Sequence, residues 1–148
     1  MAKNTRKFAI GCDHAALDMK EIIAARLEEL GYEVDDVGTH TSDSCDYPVF
    51  AHAVAEKVAG GECDGGVLIC GSGIGMSMAA NKVPGVRAVV CTEPYSAYLS
   101  RQHNNSNVLC FGARLVGRDM AFEILRAWLE TEFEGGRHER RVEMIERG

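Results

Sequence analysis

Short apolar runs alternate with longer amphipathic ones along the whole chain. Phe8-Ala9-Ile10-Gly11-Cys12 is compact and apolar and predicts a first buried strand. Over residues 15–30, Leu17, Ile22, Ile23, Leu27 and Leu30 recur at helical spacing and share a broad face; Gly31 stops that helix. Tyr32-Glu33-Val34-Asp35-Asp36-Val37 alternates and predicts a half-buried second strand. A polar loop over 38–47 leads to Pro48, which suits the first turn of a helix running to about residue 58. The same reasoning predicts strands over 67–70, 86–90 and 107–111, and helices over 73–81, 94–102 and 118–129. The polar segment from about residue 130 predicts a short terminal helix. There is no repeat, linker or low-complexity tract.

Strands that alternate with helices imply right-handed βαβ units and a parallel sheet covered on both faces. The expectation is one α/β domain over 1–148, a three-layer α/β/α Rossmann-like fold with a five-stranded parallel sheet. Ligands of such sheets bind beyond the carboxyl ends of the strands, near the switch in strand order. Asp13-His14 follow the first strand, Cys70 to Gly75 the third, and Gly112-Ala113-Arg114 the fifth. Polar, glycine-rich sequence therefore gathers on one edge.

The run Cys70-Gly71-Ser72-Gly73-Ile74-Gly75 is the most informative part of that edge. A buried strand delivers a lone cysteine to the sheet edge. Alternating glycines let backbone N–H groups turn inward, and the helix start behind them adds positive potential. This favours a thiolate beside an anion-binding loop. The loop is G-x-G-x-G, lacks the G-x-G-x-x-G spacing of a dinucleotide fingerprint, follows the third strand, and has no Lys-Ser/Thr of a P-loop, all of which argues against a nucleotide site.

Other candidates each have two readings. Asp13-His14 reads as a substrate hydroxyl partner with a cationic neighbour, or as an N-cap with His14 at the first helical position; one carboxylate can do both. Tyr47, before a helix, reads as a catalytic group or a packing lid. His103-Asn104-Asn105 follows a helix, where His complements the dipole and Asn caps. Arg137 and Arg141 share a helix face, and two guanidinium forks aimed one way suit a phosphate; the alternative is a solvated charge run. Arg114 sits on the ligand edge.

Composition narrows the partners. Sixteen Lys and Arg against twenty-two Asp and Glu give a net charge of −6 over 148 residues, which argues against nucleic acid or an anionic membrane as partner. An anionic ligand then needs a local basic cluster. No apolar segment approaches the ~20 residues of a membrane helix, and the basic start is not followed by the apolar region of a signal peptide. The six cysteines show no C-x-x-C pair and no zinc spacing, so no metal or cofactor is expected and a cytoplasmic, reducing compartment is the default. Cys12, Cys91 and Cys110 lie in or beside apolar runs and read as buried thiols; Cys45 and Cys63 lie in loop-like sequence.

Taken together, Gly11-Cys12-Asp13-His14, Asp46-Tyr47-Pro48, the run over 64–82, Arg87-Ala88-Val89, Glu93-Pro94-Tyr95-Ser96-Ala97, residues 100–105 and Gly135-Gly136-Arg137-His138 closely resemble the type B ribose-5-phosphate isomerases, a group that extends to allose- and galactose-6-phosphate isomerases. The likeness covers essentially the whole chain. It implies aldose–ketose isomerisation through an enediolate, without metal or cofactor. By that resemblance Cys70 is the base, Ser72 bonds the reacting region, His103 opens the sugar ring and Asp13 accepts a hydroxyl proton. Gly71, Gly73, Gly75 and Asn104 hold the oxyanion, Tyr47 positions the sugar, and His14, Arg114, Arg137 and Arg141 clamp the phosphate. One subgroup replaces the cysteine with a glutamate that would fall at Met76, so the cysteine mechanism applies. The resemblance also implies a homodimer or dimer of dimers with active sites shared between subunits. A six-carbon sugar phosphate is the alternative substrate, and a non-catalytic sugar-phosphate binder the alternative outside the class.

Overall fold

In the computed structural model, which describes residues 5–148, the elements run β1 (Lys7–Cys12), one 3₁₀ turn (His14–Ala16), α1 (Leu17–Glu29), β2 (Glu33–Gly38), α2 (Tyr47–Ala59), β3 (Gly65–Cys70), α3 (Ile74–Ala80), β4 (Ala88–Val90), α4 (Pro94–Asn104), β5 (Val108–Gly112), α5 (Arg118–Glu130) and α6 (Arg137–Arg147). The five strands form one parallel sheet in the order β2-β1-β3-β5-β4. The order reverses between β1 and β3, so the switch point lies where Cys12 pairs with Ile69, one residue before Asp13 and Cys70.

Strand side chains alternate between two cores. Phe8, Ile10, Val67, Ile69, Leu109 and Phe111 pack with Ile23 and Leu27 of α1 and Ile124, Leu125 and Trp128 of α5. Ala9, Leu68, Cys70, Val108 and Cys110 face Val54 and Val58 of α2 and Met76 and Ala80 of α3. Residues of the central strands β1, β3 and β5 are almost all buried, as a sheet covered on both faces requires. Edge strand β2 is only half-buried, in line with its alternating sequence.

Several element ends shift by one or two residues, as β3 does in starting at Gly65 rather than 67, and three of the differences have a local reason. The first helical turn is 3₁₀, because Asp13 Oδ1 accepts from the Ala15 N–H at 3.0 Å and starts the turn at His14, one residue early. Strand β4 is three residues, not five: the Val86 N–H turns back to Val83 and the Arg87 N–H is taken by Asn107 Oδ1 at 2.7 Å. Helix α4 extends to Asn104 and is closed by Asn105 in the left-handed conformation, φ 48°.

Two buried polar arrangements fix segments near the sheet edges. Lys20, 1% exposed, donates to Asp36 Oδ1 at 2.8 Å and to the Thr39 carbonyl at 2.7 Å, so it anchors the loop that leads to Tyr47. Periodicity had marked position 20 as part of an ordinary amphipathic helix, and its burial is legible only once Asp36 is seen opposite. On the other edge, Trp128 Nε1–H donates to Ser106 Oγ at 2.9 Å, and Ser106 and Ser100 hydroxyls lie 2.8 Å apart. These bonds hold the α4–β5 turn.

Cys12, Cys91 and Cys110 are buried, as their runs predicted, and Cys63 is buried as well. Burial pushes Cys12 and Cys91 from 9.0 up to about 12, and raises Cys63 and Cys110. For a thiol the raised folded value means the native state keeps protons that the unfolded chain has lost. The stabilisation is complete below pH 9 and drains away as pH rises from there towards 12. The thermal midpoint should therefore hold from neutral pH to about 8.5 and fall steeply above 9. Melting curves across that range, compared with a Cys12→Ala/Cys91→Ala double variant, check it: an equal alkaline fall in both would place the cause elsewhere.

Candidate functional site

Beyond the carboxyl ends of β1, β3 and β5 lies an open cleft of about 540 Å³, lined by Asp13, Tyr47, Cys70, Gly71, Ser72, Gly75 and Arg114 among others. They come from four segments of the chain. Asp13 follows β1, Tyr47 opens α2, Cys70 ends β3, and Arg114 follows β5. The edge that the sequence singled out is thus one concave surface.

Cys70 is 6% exposed. Its Sγ accepts the Gly73 N–H at 3.0 Å, so a backbone donor points at the sulfur from the glycine loop. That geometry needs Gly73, whose φ is +82°; a Cβ there would also lie 2.7 Å from the Phe111 carbonyl carbon. Gly75 is required for a different reason: a Cβ would come within 2.7 Å of the Tyr47 ring. The Gly75 backbone and the Tyr47 ring are consequently in close contact across the cleft. Ser72 Oγ accepts from the Ile74 N–H at 3.2 Å, which ties the loop into the start of α3. The Arg114 guanidinium lies over Gly71, its Nη1 3.3 Å from where a Cβ would stand.

Asp13 uses Oδ1 to cap the 3₁₀ turn, as the N-cap reading expects, and the residue also lines the cleft. His14 Nδ1 accepts from the Cys45 N–H at 3.2 Å, which orients the ring beside the cleft.

The remaining predicted residues are elsewhere in the chain. His103 and Asn104 end α4, and the turn after them enters the amino end of β5, where the Asn107 carbonyl accepts from the Gly66 N–H at 2.9 Å. Gly66 pairs with Val108 and Cys70 with Gly112. Four residues of strand, ~13 Å, separate those levels. Within one chain His103 and Asn104 therefore lie at the opposite edge of the sheet from Cys70. Helix α6 joins them there. The Glu134 N–H donates to the Gln102 carbonyl at 3.0 Å, and the His138 ring stacks on His103 with centroids 4.4 Å apart. Arg137 and Arg141 are exposed on the same short helix. The chain carries two half-constellations: Asp13, His14, Tyr47, Cys70, Ser72 and Arg114 on one edge, and His103, Asn104, Arg137 and Arg141 on the other.

His138 belongs to the motifs that carry the resemblance but had no role on sequence grounds. It is 6% exposed, and burial, followed by the charges of His103 and Arg137, lowers its proton affinity. No sequence signal pairs it with His103, because the two are 35 residues apart (138 minus 103) and meet only through packing of α4 against α6.

A doubly wound parallel sheet with a cysteine beside a glycine loop at its switch point defines the class, and the comparisons identify the branch. Residues 8–145 match the family model described as Ribose/Galactose Isomerase. Ribose-5-phosphate isomerase B of Escherichia coli is 59% identical over 140 residues, covering 95% of this chain and 94% of that protein. The solved structure of Clostridium thermocellum ribose-5-phosphate isomerase B superposes with a TM-score of 0.94 at 53% identity, covering 95% of each chain. That of the Mycoplasma genitalium enzyme with bound ribulose-5-phosphate gives 0.92 at 43% identity, covering 95% and 94%. The chain belongs to the Ribose/Galactose Isomerase family. Within it, its likeness is to the type B ribose-5-phosphate isomerases.

Proposed function

We propose that this protein interconverts ribose 5-phosphate and ribulose 5-phosphate through an enediolate, with Cys70 as the base. The observation that carries this reading is the Gly73 N–H donated to Cys70 Sγ at 3.0 Å inside the cleft. An acid–base isomerisation needs a base that takes a proton from carbon 2 and returns it to carbon 1, and donors for the oxygen that becomes negative between the two steps. A sulfur held by a backbone N–H supplies the first. The N–H groups of Gly71 and Gly75, with the Asn104 amide, supply the second; the oxyanion role expected of the Gly73 N–H gives way to its bond to Cys70 Sγ. His103 delivers and removes the ring-oxygen proton, Asp13 accepts from a hydroxyl, and Ser72 and Tyr47 hold the sugar.

This constellation requires two chains. His103, Asn104, Arg137 and Arg141 come from the partner copy of a homodimer, alone or within a dimer of dimers. Ile74, Met78 and Leu115 line the cleft and are exposed, an apolar rim of the kind that marks an association surface.

His14, Arg114, Arg137 and Arg141 clamp the phosphate. In a chain with net charge −6 a dianion needs such a cluster. Arg137→Ala or Arg141→Ala should raise KM by roughly ten- to a hundredfold, since losing a charged hydrogen-bond partner costs about 1.5–3 kcal/mol. Part of the loss can fall on kcat, because phosphate binding orients the reacting carbons. Arg140 points off that face, so Arg140→Ala is the internal control. Equal behaviour of Arg137→Ala and Arg140→Ala would return the tail to ordinary surface.

The reading as a whole is tested by steady-state rates of the purified protein on ribose 5-phosphate, allose 6-phosphate and galactose 6-phosphate. The five-carbon sugar should have the highest kcat/KM. One extra hydroxymethylene changes fit by only about 1–3 kcal/mol, so a six-carbon preference would reassign the substrate within the class, and no turnover of any would leave a binding protein.

A further inference from the structure

Near the second half-constellation, the fold assembles a set of metal-binding side chains that no sequence spacing announces. One ligand atom each from His103, Glu134 and His138 lie within 4.8 Å of one another. His138 Nε2 is the only side-chain nitrogen or oxygen among the described residues that is buried without a hydrogen-bond partner. Its nearest acidic neighbour is Glu134 Oε2 at 4.0 Å, too long for a hydrogen bond. An orphaned imidazole nitrogen facing a carboxylate and a second imidazole is a donor set lacking its acceptor.

We infer that His103, Glu134 and His138 bind a divalent cation of the zinc class, and that the bound ion withdraws His103 from the isomerase reaction. Two imidazoles and one carboxylate match the three-ligand set that zinc takes with a fourth position open to water. They are a poor match for Mg²⁺ or Ca²⁺, which prefer oxygen ligands. The backbone is already in place. Glu134 is tied to Gln102, next to His103, and the His138 N–H donates to the Gly135 carbonyl at 3.1 Å. Zn–N bonds of about 2.0–2.1 Å put tetrahedral ligand atoms roughly 3.3 Å apart, so the side chains close by little more than an ångström. The two rings stack 14° from parallel, so ligation turns the part-exposed His103 ring until its nitrogen, not its face, meets the ion. A ring held by zinc has one nitrogen blocked and cannot become imidazolium, so it no longer shuttles a proton to and from a sugar oxygen. This inhibitory consequence rests on the ring-opening role proposed for His103; the binding site itself does not.

The test uses chelator-stripped enzyme, with Zn²⁺ followed by calorimetry and Co²⁺ by its visible absorption. The expected result is one ion per chain and no response to Mg²⁺. Losing even a group that merely orients a ligand costs about ten- to a hundredfold in affinity, so Glu134→Gln and His138→Gln should each weaken Zn²⁺ binding by at least that much. Glu134→Gln should keep its basal activity and escape zinc inhibition. Zn²⁺ should also inhibit ribose 5-phosphate turnover more than turnover of a four-carbon sugar phosphate, whose only ring-closing hydroxyl carries the phosphate. No zinc binding overturns the site; affinity unchanged in both variants overturns it too, and points to Cys70 or Cys45 as the ligand. Site-specific binding with equal inhibition of both substrates leaves the metal site standing and removes the ring-opening role from His103.

Discussion

Cys70→Ala should lower kcat by about 10²–10⁴-fold, the range that a positioned base contributes, while the protein stays folded and still binds substrate. The cleft offers no substitute base. Asp13 has one carboxylate oxygen on the Ala15 N–H and the other assigned to a substrate hydroxyl, and Tyr47 is assigned to holding the sugar. The substitution removes one sulfur from a site at the sheet edge, so cavity cost is small. Phosphate binding is assigned to other side chains, and it should persist. Cys70→Ser sharpens the result: the hydroxyl occupies the place of the sulfur but ionises far less readily, so it should be nearly as slow as the alanine variant. Steady-state kinetics with a parallel binding measurement decide the matter. Turnover within a few-fold of wild type in either variant would falsify the role given to Cys70.

The second large effect is recovery rather than loss. Cys70→Ala and His103→Ala homodimers should both be nearly inactive on ribose 5-phosphate. Mixed, unfolded and refolded together, they should regain about a quarter of wild-type activity. Random pairing of equal amounts puts about half the chains into mixed dimers, and one of the two sites in each is then free of both substitutions. The expectation follows from the placement of His103 at the amino edge of the sheet and Cys70 at the carboxyl edge. Were one chain to contain a complete site, no mixture could recover activity. Absence of recovery, with mixed dimers demonstrated by native mass spectrometry, would return all these residues to one subunit.

The sheet was legible because burial on both faces leaves continuous apolar runs, such as Val67-Leu68-Ile69-Cys70, between amphipathic helices. The carboxyl-edge half of the site was legible for the same reason: topology sends the residues after β1, β3 and β5 to one edge whatever their identity. Boundaries were less legible where side chains replace backbone partners, as Asn107 does for Arg87 at the start of β4. The same topological rule places His103, which precedes β5, at the opposite edge from Cys70, a separation that the roles implied by resemblance passed over. Lys20 and His138 were invisible because each is explained by a partner remote in sequence, Asp36 and His103.

The two outer strands carry a further consequence. On one side β2 presents Glu33, Asp35 and Asp36 along six residues; on the other β4 is only three residues long. A charged edge and a stunted one are poor templates for adding strands from another molecule. Copies of this protein therefore have no continuous sheet to extend. Copies that pair would have to meet through helix faces and loops, where the two half-constellations lie.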